Sequence, residues 1–79
     1  MKITVLYFAS LRDAAGTDAE TVELGTSDAR ELYAALRSRH AFPLDASRLR
    51  VAVNGEFTDW SHPLSDGDEI AFLPPVSGG

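Results

Sequence analysis

The residues best suited to chemistry stand at the end of the chain, which closes with Pro74-Pro75-Val76-Ser77-Gly78-Gly79. Glycine gives the narrowest possible chain and admits backbone angles that are barred to other residues. No side chain therefore blocks the approach to the terminal carbonyl carbon. The pattern predicts that this end threads into the active site of another protein, with the Gly79 carboxylate as the group acted upon and Gly78 giving access to it.

The two prolines favour a stiff, extended exit from a folded domain. Pro74 and Pro75 cannot donate hydrogen bonds to a β-ladder, so we expect the sheet to stop there, and proline keeps the chain extended. The residues beyond Pro74 reach roughly 13–18 Å at about 3.3–3.6 Å each. The sequence therefore predicts one domain over residues 1–74 and a flexible tail over residues 75–79.

A free carboxylate is a poor electrophile, since attack on it would add charge to an anion. Activation as an acyl adenylate needs ATP, yet the sequence has neither a GxxxxGK[ST] phosphate loop nor a GxGxxG motif after a strand. ATP would then be used by a partner activating enzyme, and we expect this chain to bind no cofactor itself. Without such a partner, two terminal glycines would simply be a frayed end.

The remaining reactive residue types predict no catalytic set. The chain has no cysteine, and His40 and His62 are its only histidines, so we expect no metal site. The acidic run Asp66–Glu69 contains Asp-Gly, an ordinary turn, and lacks the longer loop of a calcium-binding EF-hand. These residues give the chain no catalysis of its own and leave open whether it works as a subunit of an enzyme.

Composition limits the classes of partner. Seven Lys and Arg against twelve Asp and Glu give a formal net charge of −5, the wrong sign for a nucleic-acid binder, whose affinity comes from neutralising phosphates. No apolar run approaches the roughly 20 residues of a membrane span, and residues 1–9 read as a strand rather than a signal peptide. We expect a cytoplasmic protein that binds neither nucleic acid nor membrane.

Hydrophobic periodicity divides the chain into five strands and one long helix. Thr26 or Ser27 precedes an apolar stripe at helical spacing and is expected to cap the helix, while Asn54-Gly55 predicts a hairpin. Residues 10–16 read as a connection with about one helical turn. The expected strands cover residues 2–9, 19–24, 49–53, 56–58 and 68–73, and the expected helix ends near His40.

This order predicts an α+β protein with the β-grasp fold of ubiquitin, a mixed sheet of about five strands curled over one main helix. Two strands joined by a short connection precede the helix, and three follow it. A ferredoxin-like sandwich would need a second helix of comparable length, which residues 59–66 cannot supply.

Three large apolar residues fall where the core cannot easily take them. Phe8 and Leu73 point away from the core face of their strands, and Phe57 lies two residues past a hairpin tip. If the first and last strands are neighbours, Phe8 and Leu73 join in one patch near the tail, which indicates a partner surface. The alternative is that loops or the segment around Trp60 cover them. Arg12, close to Phe8, is the arginine most expected to face a partner.

The stretch His62–Gly79 closely resembles the C-terminus of the molybdopterin synthase small subunit, and the segments Val5–Ala9 and Ala52–Asn54 are similar to that family too. The resemblance covers essentially the whole chain. Its Asp-Gly-Asp-Glu turn is shared with other β-grasp domains. The union of that turn with a terminal Pro-Pro-Val-Ser-Gly-Gly is specific.

The resemblance implies a sulfur carrier of molybdenum cofactor biosynthesis. In that family a ubiquitin-activating-like adenylyltransferase adenylates the residue matching Gly79, and a sulfur donor protein converts it to a thiocarboxylate. The tail then enters the large subunit of molybdopterin synthase, within a heterotetramer, and passes sulfur to cyclic pyranopterin monophosphate. The implied contacts to the large subunit match Phe8, Phe57 and Leu73. The full set of expected partner-binding residues is Phe8, Arg12, Phe57, Leu73, Pro74, Pro75, Val76 and Ser77.

Three other functions fit the same residues. The chain could carry sulfur for another acceptor, in thiamine, cysteine or thiolated tRNA synthesis. It could be a ubiquitin-like modifier that forms isopeptide bonds through Gly79. It could also be a non-covalent β-grasp binding module whose tail is inert.

Overall fold

The computed structural model describes residues 1–75, which form one mixed sheet and two helices. Across the sheet the first and last strands of the chain lie side by side and parallel, and every other neighbouring pair is antiparallel. The strands are Lys2–Tyr7 (β1), Ala19–Glu23 (β2), Arg50–Val53 (β3), Glu56–Thr58 (β4) and Glu69–Leu73 (β5), in the order β2-β1-β5-β3-β4, and the helices are Ala9–Ala15 (α1) and Ala29–His40 (α2). This is the β-grasp arrangement, so the expected fold class is confirmed.

Alternation along the strands gives the sheet one buried face and one open face. In β1, Ile3, Val5 and Tyr7 are at most 1% exposed, because the period of two puts them on the same side. In β5, Ile70 and Phe72 are fully buried on that side. α2 covers this core face, as the sequence predicts, and we call the opposite side of the sheet the outer face.

One stripe of α2 packs into the core. Its buried residues follow the i, i+3, i+4, i+7 spacing and are Ala29, Leu32, Tyr33 and Leu36. The Tyr33 ring centroid lies 5.1 Å from that of Phe72 and 5.8 Å from that of Phe42. The Tyr33 hydroxyl donates a hydrogen bond of 2.6 Å to the Leu44 carbonyl. Tyr33 therefore ties the helix to the sheet and to the loop that follows the helix.

The helix α2 ends at His40 as expected, but its N-terminal cap differs from the one expected. Asp28, not Thr26 or Ser27, caps the helix, since its carboxylate accepts a 2.8 Å hydrogen bond from the Arg30 amide. Thr26 instead accepts from the Asp28 amide at 3.1 Å. At the other end Ala41 adopts a left-handed φ of 56° and donates its backbone N–H to the Arg37 carbonyl. The helix thus ends in a motif that usually carries glycine.

The connection after β1 is more helical than expected. β1 stops at Tyr7, and α1 makes two turns rather than one before Gly16 ends it with a φ of 76°. Leu11 is fully buried and anchors α1 to the core. The other strand ends fall within one residue of the expected ones. Helical propensity alone is weak over so short a segment, so burial of Leu11 is what holds α1.

A hydrogen-bonded network locks the β3–β4 hairpin to the turn before β5. The Asp68 carboxylate accepts from the Asn54 amide at 3.0 Å and from the Ser65 backbone N–H at 2.9 Å. The Asn54 side-chain oxygen in turn accepts from the Glu69 backbone N–H at 3.0 Å. The hydrogen bonds from Asn54 and then from Ser65 hold the pKa of Asp68 below its ordinary value of 3.8. Asp68 is therefore a pH-sensitive part of this junction.

Replacing Asp68 by Asn should lower the free energy of unfolding at pH 7 by about 1–2 kcal/mol. Both carboxylate oxygens of Asp68 accept hydrogen bonds, and in asparagine one of them is replaced by an NH₂ group, which would face the N–H donor of its former partner. The pKa of Asp68 is lower in the folded state than in the unfolded state. Its contribution is therefore present above the unfolded pKa and lost as the pH falls through the folded one. Urea unfolding from pH 7 to below about pH 4 should show a shallower loss of stability for Asp68→Asn than for the wild type.

The matched control for that experiment is Asp59→Asn. Asp59 is exposed, and no hydrogen bond to its side chain is present within residues 1–75. Its replacement should leave both the stability at pH 7 and the acid dependence close to those of the wild type. Equal acid dependence of the Asp68 variant and the wild type would contradict the role given to the network.

Glu20 links β2 to the end of α2 through polar contacts with Arg39 and His40. Its two carboxylate oxygens lie 2.9 Å from the Arg39 guanidinium and 3.2 Å from His40 Nε2. Glu20 lies on the core side of the edge strand, with 20% of its side chain exposed. Burial, and then the neighbouring Glu20 carboxylate, raise the pKa of the Tyr7 hydroxyl well above its usual range. His40 thus belongs to a structural contact.

Candidate functional site

The chain leaves the sheet from a central strand. β5 lies between β1 and β3, and Leu73 is its last paired residue. Pro74, half-buried, and Pro75, exposed, follow directly, which agrees with the inability of proline to extend a ladder. Of the expected site residues, four lie outside the described residues 1–75, so their roles stay predictions: Val76, Ser77, Gly78 and Gly79.

Parallel pairing brings Phe8 to the edge of the sheet from which the tail departs. Tyr7 pairs with Phe72 in the β1–β5 register, so Phe8 and Leu73 are the next residues along the two chains. The carboxyl ends of parallel strands meet at the same edge of a sheet. Phe8 and Leu73 therefore join in one patch beside the tail exit.

This patch is part of an apolar groove on the outer face, which we call the outer groove. Its volume is about 250 Å³. Ala52 and Ala71 are direct cross-strand partners and form a low floor, since a methyl group rises little above the backbone. The larger side chains on either side form the walls. The lining residues are Leu6, Phe8, Ala52, Gly55, Phe57, Glu69, Ala71 and Leu73.

The outer groove is open to solvent in this structure. Phe8 is 43% exposed and Phe57 is 61% exposed. Trp60 does not cover them, because it packs on the core face with its ring 5.7 Å from that of Phe72. Exposed apolar residues are ordinary one at a time, whereas a contiguous apolar patch marks an interaction surface.

The backbone turns sharply just after Phe8. Ala9 adopts a φ of 51°, a left-handed conformation that costs an L-residue about 1–2 kcal/mol. The Phe8 carbonyl accepts from the Leu11 and Arg12 amides at 3.1 and 3.4 Å. Buried Leu11 anchors this turn, so the strained Ala9 persists and turns the chain sharply at the rim of the groove.

Arg12 lies near this rim but not within it. It sits on α1 with 54% of its side chain exposed, and its Nε is 3.8 Å from an Asp18 carboxylate oxygen. It does not line the outer groove. The structure thus brings Phe8, Phe57 and Leu73 together and leaves Arg12 beside them, and a partner contact for Arg12 stays a prediction.

Sequence reasoning overlooked the floor and the charged margin of the groove. Strand parity places the small residues Ala52 and Ala71 opposite the core, but it does not indicate that they pair to form the floor of a groove. The guanidinium carbon of Arg50 lies 4.1 Å from the centroid of the Phe57 ring. Parity places Arg50 on the outer face, but only the β3–β4 pairing places it beside Phe57.

A second groove, of about 590 Å³, runs along α2 on the other side of the molecule. Its charged groups are occupied by structural contacts. Arg30 lies 5.5 Å from the centroid of the Trp60 ring, and Arg37 contacts the Phe42 carbonyl and Asp45. No group of three or more possible metal ligands is found among residues 1–75. Over the same range, neither helix has the length and apolar character needed to span a bilayer.

Comparison with known proteins identifies the family of the chain. The model of the ThiS family matches residues 5–79. The chain is 46% identical to the molybdopterin synthase sulfur carrier subunit of Escherichia coli K12, over 98% of this chain and 99% of that protein.

Solved structures agree with this match. One is described as subunit 1 of a molybdopterin converting factor from Pyrococcus furiosus, with a TM-score of 0.80 and 35% identity over 96% of this chain and 99% of the other. Another comes from a complex of subunits 1 and 2 of the molybdopterin-converting factor from Helicobacter pylori. It has a TM-score of 0.72 and 29% identity, and both chains are covered completely.

Proposed function

The chain belongs to the ThiS family, among the molybdopterin synthase small subunits, and we propose that it carries sulfur as a thiocarboxylate on Gly79 for molybdopterin synthase. The observation that carries this proposal is the outer groove beside the tail exit. The groove offers a partner an apolar docking surface at the edge of the sheet where β5 leads toward Gly79. Docking there would deliver the carboxyl terminus to the active site of that partner.

The chemistry begins with activation of the Gly79 carboxylate by a separate adenylyltransferase. Attack of the carboxylate on ATP forms an acyl adenylate and releases pyrophosphate. Hydrosulfide would displace AMP and give the thiocarboxylate directly. From a donor protein, the terminal sulfur of a persulfide would displace AMP to form an acyl disulfide, and a thiol would then cleave that disulfide, releasing the thiocarboxylate and leaving a disulfide on the donor. The net change is one oxygen exchanged for one sulfur. The chain needs no cofactor of its own for these steps.

The second half of the cycle takes place on the large subunit of molybdopterin synthase. The thiocarboxylate sulfur is a good nucleophile at neutral pH; it would attack a carbon of cyclic pyranopterin monophosphate and displace an oxygen leaving group. Water would then hydrolyse the resulting thioester, which restores the Gly79 carboxylate and leaves the sulfur on the substrate. The large subunit would supply the substrate pocket and any general acid or base. The Helicobacter pylori complex of subunits 1 and 2 supports a partner of this kind. We expect two small and two large subunits in the assembly.

Intact-mass spectrometry tests the first half of the cycle. After incubation with ATP, sulfide and the activating enzyme of the same organism, we expect the mass of the chain to rise by about 16 Da, the difference between sulfur and oxygen. Omitting ATP should abolish the gain. An unchanged mass, with an activating enzyme shown to be active on another carrier, would refute the proposal.

The product of a reconstituted reaction separates this function from its alternatives. Adding cyclic pyranopterin monophosphate and the large subunit to the thiocarboxylated chain should yield molybdopterin. A mass gain without molybdopterin would assign the carrier to another acceptor, such as a thiamine precursor. Isopeptide bonds to lysine side chains would instead identify a protein modifier.

A further inference from the structure

Two residues of opposite charge flank the outer groove: Glu69 lines one end, and Arg50 lies just outside the lining at the other end, against Phe57. Arg50 pairs with Leu73 across β3 and β5, at the end near the tail exit. Glu69 lines the other end, where it pairs with Thr4. Both are exposed. Within residues 1–75 neither side chain takes part in an ion pair. The groove is therefore apolar in its middle and oppositely charged at its two ends.

The Arg50 guanidinium is held in place by Phe57. Its central carbon lies 4.1 Å from the ring centroid, a distance typical of a cation–π contact. The planar group is thus positioned before any partner arrives, which reduces the side-chain entropy lost on binding. Among residues 1–75, its N–H donors have no hydrogen-bond partner.

A partner that fills the outer groove excludes water from the Arg50 guanidinium. Phe57 forms one wall of the groove, so a surface that covers its ring also covers the guanidinium stacked on it. A charged group that loses its water without gaining a partner is strongly destabilising. The planar fork of arginine donors matches a carboxylate, which can accept two parallel hydrogen bonds.

We propose that Arg50 determines docking specificity by pairing with an Asp or Glu side chain of the surface that fills the outer groove. The proposal rests on the function proposed above and identifies a feature of the partner. The opposite charges of Arg50 and Glu69 also set the orientation in which the partner docks. The acidic group of the partner lies near the tail exit, and the distal end of the groove favours a cation or a hydrogen-bond donor. One orientation of the partner satisfies both ends.

The test is titration calorimetry with the molybdopterin synthase large subunit of the same organism. Arg50→Glu should weaken binding on the order of 30-fold or more, since it sets two carboxylates against each other in a desolvated interface. Arg50→Leu should also weaken binding, and Arg50→Lys should recover part of the loss. Arg48→Glu, an equal charge change at an exposed residue outside the groove, should bind like the wild type.

Two further measurements distinguish an ion pair between Arg50 and the partner from a role of Arg50 limited to its contact with the Phe57 ring. Wild-type affinity should fall as salt rises, and Arg50→Leu should lose most of that dependence. Changing one acidic residue of the large subunit to Lys should restore binding of Arg50→Glu. Equal affinity of the wild type and Arg50→Glu, or an unchanged salt dependence in Arg50→Leu, would overturn the inference. Absence of wild-type binding would overturn the proposed function itself.

Discussion

Deleting Gly79 should abolish sulfur transfer while leaving the domain folded. Each residue contributes about 3.3–3.6 Å to an extended chain, so the shortened terminus would stop short of the atoms with which it reacts. Misplacement by even about 1 Å can cost roughly 100-fold in rate, and we expect at least that loss in both thiocarboxylation and molybdopterin formation. The last strand, β5, ends at Leu73, well before Gly79, so thermal unfolding of the domain should not change.

Gly79→Ala is the matched control for the deletion. It keeps the length of the chain and adds one methyl group beside the reacting carbon. A rate between those of the wild type and the deletion variant would show that both the length of the tail and the absence of a side chain at its last residue contribute to the rate. The deletion is read out by intact mass and by molybdopterin yield under the same conditions. A full mass gain and full yield from the shortened chain would remove Gly79 from the mechanism.

Phe8→Asp should weaken binding to the large subunit by roughly 30-fold or more, the loss typical of an anchor residue at the centre of an interface. Phe8 is 43% exposed and stands beside the tail exit, so docking would bury its ring. An aspartate there would lose its hydration in an apolar groove without a partner charge. Because the side chain lies outside the core, the free energy of unfolding should change little.

Ala34→Asp is the matched control for that change. Ala34 is exposed on α2, on the opposite side of the sheet, and its replacement introduces the same charge. It should bind the large subunit like the wild type. Calorimetry on both variants, with thermal unfolding as a check on folding, decides the outcome. Equal affinity of Phe8→Asp and the wild type would place the docking surface elsewhere.

Strand periodicity was enough to predict much of the site. Phe8 and Leu73 have the wrong parity for the core, and the order of elements predicts a β-grasp sheet in which their strands can be neighbours. The structure confirms that pairing. These inferences succeed because the alternation of side chains is a local property that every strand must obey.

Other features of the site depend on contacts that are distant in sequence. The cation–π contact of Arg50 requires the register in which Ala52 lies opposite Phe57. The left-handed conformation of Ala9 runs against the preference of alanine and is imposed by the anchoring of α1 through Leu11. Neither follows from local propensity, because tertiary packing overrides it at both positions.

The placement of β5 has a mechanical consequence. The strand that leads to the tail is hydrogen-bonded on both sides, to β1 and to β3, and it runs along the direction in which the tail departs. A pull on the tail therefore loads two ladders in shear, so that many backbone hydrogen bonds resist together. An edge strand, held on one side only, would be stripped away far more easily. In the proposed cycle, a partner would therefore draw the carboxyl terminus in and release it repeatedly without unfolding the domain.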